Sequence, residues 1–313
     1  MLILVTALLL ALVLLGCLAG PALDRLWSSG AHPGTVVACW LGALMGTFVA
    51  VIGLIAVALL WPPTPGHGVF EWLHGCLPHH PAAATALAGV ASLPLLWLCG
   101  ARLARGVPRV RRALRHRRSH REMLHMVAYE DREHSDVLLL DHPVPVAYCL
   151  PSRWRPIVVS TGARTRLSPG QLAAVLEHER AHLRQRHHTL LILIDIAHAL
   201  LPWSPTVRRA RTRIPALLEM AADDAAARSS GSGTLAGALR QIATTPEFAG
   251  ALAASGRDHG SLSRRLTRLE DGARRPSRVA RVGRPITWVL TACAVALPFA
   301  ASLSALWRLV APC

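Results

Sequence analysis

The sequence predicts an α-helical membrane protein with four transmembrane helices and an α+β domain on the cytoplasmic side. Three observations lead there. Apolar residues make up 52% of the chain and mean hydropathy is +0.36, yet the formal net charge is +16. A soluble globule does not combine these values, whereas a membrane protein with a basic cytoplasmic face does. Four apolar runs are long enough to cross a bilayer. Between the third and the fourth lies a polar stretch whose pattern changes from short β-like runs to amphipathic helices.

The first run, LILVTALLLALVLLGCLAG, covers about 2–20. Its LLGC resembles a lipoprotein cleavage site, but no positive region precedes it, so it reads as a retained span. The second run covers about 35–61, the third about 82–104 and the fourth about 286–307. Trp61, Trp288 and Trp307 sit near segment ends, where interfacial aromatics belong. Arginines set the orientation. ARLARGVPRVRRALRHRRSHR follows the third run and RRPSRVARVGRP precedes the fourth, while the loop 62–81 has no arginine. The positive-inside rule places that loop outside and residues 105–285 in the cytoplasm, with both termini outside a multi-pass plasma-membrane protein. Three regions follow: 1–104 with three spans, 105–285 as a cytoplasmic domain, and 286–313 with the last span and a short tail. Beside a membrane segment the basic flank is explained by topology and anionic lipid rather than by direct nucleic-acid binding. Every cationic side chain other than histidine is arginine, which carries no mechanistic reading. The seven cysteines contain no CxxC pair, which argues against a cysteine zinc site or a disulfide framework. Cys76 and Cys313 both fall outside in this topology, and their pairing is left open.

Within the domain, HREMLHMVAYE (120–130) reads as the end of a helix. DVLLLD (136–141), VPVAYCL (144–150) and PIVVSTG (156–162) read as three short strands. Ser168 and Pro169 then open a helix as N-cap and first residue. Leu172, Val175, Leu176 and Leu183 continue it at helical spacing, so VLEHERAHLRQRHH (175–188) lies inside a helix with no proline to break it. TLLILIDIAHALLPW (189–203) carries Asp195 and His198 and is short for a span; it reads as a buried or membrane-adjacent helix. PALLEMAADDAAAR (215–228) is strongly helix-prone and ends at a Ser/Gly break. Two further helices, around LAGALRQIA and SLSRRLTRLEDGARR, lead to the last span.

The chemistry sits in His178-Glu179-Arg180-Ala181-His182. Histidines at i and i+4 share one helix face and can reach one zinc ion. Glu179 between them is placed to take the proton of a water that the ion acidifies. The bland reading is the wet face of a basic helix. A catalytic zinc usually needs a third protein ligand. Glu219 and Asp223 lie one turn apart on the later helix, where one carboxylate could ligate and the other could orient a ligating histidine. Their bland reading is the exposed acidic face of an alanine-rich helix.

The segment from about 145 to 228 resembles the BlaR/MecR-type membrane zinc metallopeptidases, the antirepressors of β-lactam sensing. IVVSTGARTRLSPGQLAAVLEHERAHLRQRHH, the Pro-Trp at 202–203 and EMAAD at 219–223 carry the likeness. The HtpX and CAAX-prenyl-protease group shares the HExxH and ExxxD pattern. The resemblance implies a zincin-like (gluzincin) domain with zinc ligands His178, His182 and Glu219, general base Glu179 and supporting carboxylate Asp223. It implies that Val146, Ala147 and Tyr148 lie on an edge strand binding an extended substrate by β-augmentation. Tyr148 and Cys149 have no assigned chemical role. Relatives often carry an aspartate a few residues after the second histidine; here that region reads RHH, and the roles of His187 and His188 are open. The extracellular penicillin-binding sensor of the antibiotic receptors is absent from this sequence.

The expected function is therefore a membrane zinc endopeptidase cutting a protein at the cytoplasmic side, with a BlaI/MecI-type repressor as the substrate by analogy. The alternatives are an HtpX-like quality-control protease and a membrane scaffold with a vestigial metal site. Trigger, autoproteolysis and oligomeric state, a homodimer included, are not fixed by the sequence.

Overall fold

The structure is a computed structural model that describes residues 2–28, 31–60, 128–150, 157–243 and 259–272, with scattered positions from 97 to 122. Contacts divide the chain into two units. One comprises Met1–Arg109, Ile194–Arg211 and Val282–Cys313; the other comprises Val110–Leu193 and Thr212–Arg281.

The first unit begins with α1 (Leu2–Val13), a π-helical turn (Leu14–Leu18) and α2 (Ala19–Ser28), followed by α3 (Pro33–Leu60). Among the described residues, two helical stretches are long and apolar enough to cross a membrane, Thr6–Ser28 and Pro33–Ile55. They overlap the first two expected spans, the first running eight residues further than expected. The third expected span lies largely, and the fourth wholly, outside the described residues, as do Cys76 and Cys313. A π turn takes in one extra residue and loosens the carbonyl ladder. Here the buried Gly16 carbonyl accepts a hydrogen bond from Ser204 Oγ at 2.8 Å. One turn on, the Gly20 N–H donates to Thr206 Oγ1 at 3.2 Å. Glycine permits this approach, since a Cβ at position 20 would stand 3.3 Å from Thr206 Cα. The Ser204 hydroxyl also accepts from the Val207 N–H at 3.3 Å, capping the helix α7 (Pro205–Ser230).

The second unit holds a four-stranded sheet in the order β1-β2-β4-β3. Its strands are β1 (Ala128–Glu130), β2 (Val137–Leu140), β3 (Ala147–Cys149) and β4 (Ile157–Ser160). β2 and β4 are parallel, and both edge strands are antiparallel to their neighbours. The three expected strands are present, but Ala128–Glu130 is a strand rather than a helix end. It pairs with Leu138–Leu140, a tertiary partner that local propensity cannot see. β4 is buried throughout and so lacks the alternation of a half-exposed strand. Ile157 and Val159 pack with Val137 against helices, while Val158 faces Leu138 and Leu150 on the other side.

Ser160 turns the chain from β4 into α4 (Thr161–Arg166). Its buried hydroxyl caps that helix by accepting from Ala163 N–H, accepts from Val146 N–H at 2.9 Å and donates to the Val144 carbonyl at 2.7 Å. One side chain thereby fixes the approach to β3. α5 (Pro169–Arg184) opens with the expected cap, improved by a reciprocal bond from Gln171 to the Ser168 N–H. Burying Leu176 on this helix contributes about 2 kcal/mol.

One expectation fails here. The stretch 175–188 is not a single helix: α5 ends at Arg184, and α6 (His187–Leu200) starts after two intervening residues. The break uses neither proline nor glycine. Arg186 takes a left-handed backbone, φ 52°, which costs a non-glycine residue about 1 kcal/mol. The turn brings His187 back under α5. Beyond α7 come α8 (Ser232–Ala243) and α9 (His259–Gly272). α5, α7, α8 and α9 share the cluster of Ala174, Ala226, Leu235, Ala236 and Leu269.

Two substitutions test this geometry. Arg186→Gly removes the left-handed penalty and should raise the melting temperature by a few degrees. Gly162→Ala should lower it by at least as much, because the new Cβ would sit 2.0 Å from the Pro143 carbonyl oxygen. Gly233→Ala, where a Cβ meets nothing within 4 Å, is the control.

Candidate metal centre

α5 sorts its polar residues between two faces. Glu177, Arg180 and Arg184 form an outer network, with Arg180 gripping Asp136 through two bonds of 2.8 and 2.9 Å. His178 and His182 point the other way. Their Nε2 atoms lie 3.1 Å apart. Glu219, from α7, approaches both: Oε2 is 3.6 Å from His178 Nε2 and Oε1 is 3.7 Å from His182 Nε2. The ligand atoms of the three residues lie within 4.8 Å of one another. A tetrahedral zinc with ligands at about 2.0–2.1 Å sets neighbouring ligand atoms roughly 3.3 Å apart. The donor set and its spacing therefore fit zinc. Glu219 keeps 37% of its side chain exposed, which leaves the cluster open on that side.

Each histidine is oriented from behind. His178 Nδ1 lies 3.1 Å from Asp223 Oδ1. His182 Nδ1 lies 2.7 Å from His187 Nδ1, and His187 Nε2 lies 3.0 Å from the Gln185 side-chain oxygen. That oxygen accepts, so His187 carries its proton on Nε2 and offers Nδ1 as acceptor. His182 then carries its proton on Nδ1, leaving the Nε2 lone pair for a metal. This is the part left open by the missing aspartate: His187 takes the orienting position. His188 turns aside to Cys149, with Nε2 3.3 Å from Sγ.

Two partners of the centre went unrecognised in the sequence. Arg265, on α9, binds Asp223 with two bonds of 2.7 Å and stands 3.0 Å from Glu219. Three residues on, Arg268 grips Asp224 the same way, at 2.6 and 2.8 Å. Their spacing at i and i+3 was visible, but nothing local identifies the acids they meet. The second is Cys149. Its backbone and thiol stand against the Glu179 carboxylate and act on its charge. Glu179 thus lies at the edge strand beside the two histidines.

The charges follow from these contacts. Burial raises the Glu179 carboxyl above its usual range; His178 partly offsets this and Glu219 reinforces it. Burial also raises the Cys149 thiol, which stays protonated. Burial works against a charged His178, yet Asp223 and Glu219 outweigh it and lift the group to about 9. Burial and neighbouring histidines push His182 down to about 3, with Glu219 opposing, and His187 falls to about 4 mainly by burial. Burial would raise Glu219 and Asp223, but His178 and Arg265 hold both low and ionised.

β3 is an edge of the sheet and takes in Ala147 and Tyr148, while Val146 lies one residue before it. Its register adds detail. Val146 accepts from the Ser160 N–H and pairs towards β4, as does Tyr148 opposite Val158. In an antiparallel pair alternate residues turn outward, so the groups of Ala147 and Cys149 face away from β4. Cys149 lies beside Glu179, and Ala147 is the neighbouring residue whose backbone faces outward.

Two histidines and a glutamate, drawn from two helices, with a buried carboxylate and a second glutamate at hand, form a donor set that fits a zinc ion. Residues 113–220 match the model of Peptidase family M48, whose members are typically zinc-dependent. The match takes in His178, Glu179, His182 and Glu219 and stops short of Asp223 and Arg265. No protein of curated function and no solved structure matches the chain.

His187→Ala should weaken zinc binding about 10–100-fold, the usual cost of losing a partner behind a metal-bound histidine; a competition titration against a chelating dye measures it. Zinc must displace the proton on His178, so affinity should rise by about one log unit per pH unit at neutral pH and level off above about 9. A pH series of the same titration checks the slope.

Proposed function

We propose that this chain is an integral membrane zinc endopeptidase that cuts a protein substrate presented as an extended segment on the cytoplasmic side. The observation that carries the reading is the convergence of His178, His182 and Glu219 beside a Glu179 held on the β3 edge. Zinc bound there would act as a Lewis acid on the scissile carbonyl and on the attacking water. The protein's own groups do the rest. An extended substrate pairs with the outward backbone of Ala147, which lays its carbonyl across the cluster. Glu179, with a raised carboxyl, takes the proton from water and passes it to the leaving amine. Asp223 and His187 keep the two imidazoles in one tautomer and one orientation.

The membrane placement is supported by the two apolar helices and by the arginine pattern. Ser204 and Thr206 bond the first of these helices near its Asp24 and Arg25 end, the end that the arginine rule assigns to the cytoplasm. A repressor of the BlaI/MecI type is the substrate that the likeness to antirepressors suggests. A second reading, HtpX-like turnover of damaged membrane proteins, draws on the family match, which names a peptidase family and no regulatory pathway.

Glu179→Gln discriminates enzyme from scaffold. The variant should keep its zinc, because Glu179 is not among the clustered ligands, and lose about 10²–10⁴-fold in peptide cleavage. The assay pairs the purified protein with a winged-helix repressor and, separately, with unfolded casein. Cleavage of the repressor alone supports the signalling reading, and cleavage of casein supports quality control. Equal activity in wild type and variant would overturn the enzyme reading.

A further inference from the structure

The corner between α6 and α7, Leu201–Ser204, has an unusual location. Ser204 bonds the Gly16 carbonyl and Thr206 takes the Gly20 N–H, both contacts buried. Along the same helix the first charged residues are Asp24 and Arg25. Gly16 lies eight residues before Asp24, which is about 12 Å along a helix, and Gly20 lies about 6 Å before it. Ser204 is therefore seated well to the apolar side of the point where charge first appears. Next to it stands Trp203, with 51% of its surface exposed. Arg208, Arg209 and Arg211 follow on the exposed side of α7. The Arg209 stem runs beside Gly20, where a Cβ would meet its Cδ at 3.2 Å. A tryptophan at depth, followed by arginines that reach back towards headgroups, is the usual composition of a membrane-interface segment.

We propose that this corner is immersed in the leaflet that ends at Asp24 and Arg25, with Trp203 in contact with lipid. The proposal rests on the membrane-spanning reading of Thr6–Ser28. The occupant is lipid rather than a protein partner, because the corner is bonded to a helix whose own outer residues, Val13 and Leu14, are apolar and exposed. An exposed tryptophan continuous with that surface extends it. The corner opens α7, the helix whose later turns carry Glu219 and Asp223, so the helix supplying the third ligand starts in lipid.

The test uses the full chain in nanodiscs containing lipids with a nitroxide on the acyl chain. An environment-sensitive fluorescent amino acid is placed by codon suppression at position 203, at 13 on the spanning helix, or at 229 in the second unit. Quenching at 203 should come within about twofold of that at 13 and exceed that at 229 by about fivefold or more, as for a side chain at the interface. Quenching at 13 with none at 203 would overturn the proposal, whether the corner then faces water or a second copy. No quenching at 13 would remove the spanning reading itself, and the proposal with it. Mass spectrometry of each chain confirms that the reporter is in place.

Discussion

Asp223 is a carboxylate with 1% of its side chain exposed, and the centre is built around keeping it charged. An isolated ion at that depth would cost several kcal/mol and would take up a proton instead. Arg265 prevents this with two parallel bonds, and its third nitrogen reaches Glu219. One guanidinium thus compensates both Glu219 and Asp223. A neutralised but still ionised Asp223 can then face His178, which fixes the ring that shares a face with His182. Remove the arginine and the orientation of a ligand two contacts away loses its cause. The pair is therefore less a source of stability than a means of specifying geometry.

The second constraint is the edge of the sheet. Ser160 holds Val146 and Val144 from below with its hydroxyl, and the register leaves Ala147 and Cys149 turned outward. The main chain of Cys149 then lies against the Glu179 carboxylate. The outward-facing edge and the surroundings of Glu179 are consequently set by the same three residues of strand. A shift of β3 by one residue would disable both together, since it would also reverse which backbone groups face the cluster.

Much of this was legible in the sequence, for a clear reason. The two histidines, Glu179 and the Ser168 cap are governed by helical spacing within a few residues, and so is the pairing of Glu219 with Asp223. Apolar runs of twenty residues are equally local signals, and the first two appear as helices of the expected extent. What escaped depends on partners distant in the chain. β1 is a strand because Leu138–Leu140 lies beside it. Arg186 is left-handed because the turn returns His187 to His182, and an arginine gives no hint of that backbone. Arg265 and Arg268 resembled any solvated basic face until α7 supplied Asp223 and Asp224.

The order of these residues along the chain has a consequence for synthesis. His178 and His182 leave the ribosome first, Glu219 and Asp223 follow, and Arg265 comes last. At bacterial or eukaryotic elongation rates of about 5–20 residues per second, several seconds separate the first histidine from the arginine. Throughout that interval Asp223 has only His178 as a charged partner, and Glu219 lacks the guanidinium that later pairs with it. The cluster of His178, His182 and Glu219 thus gains its last charged partner only after Arg265 has been made, long after both histidines have emerged.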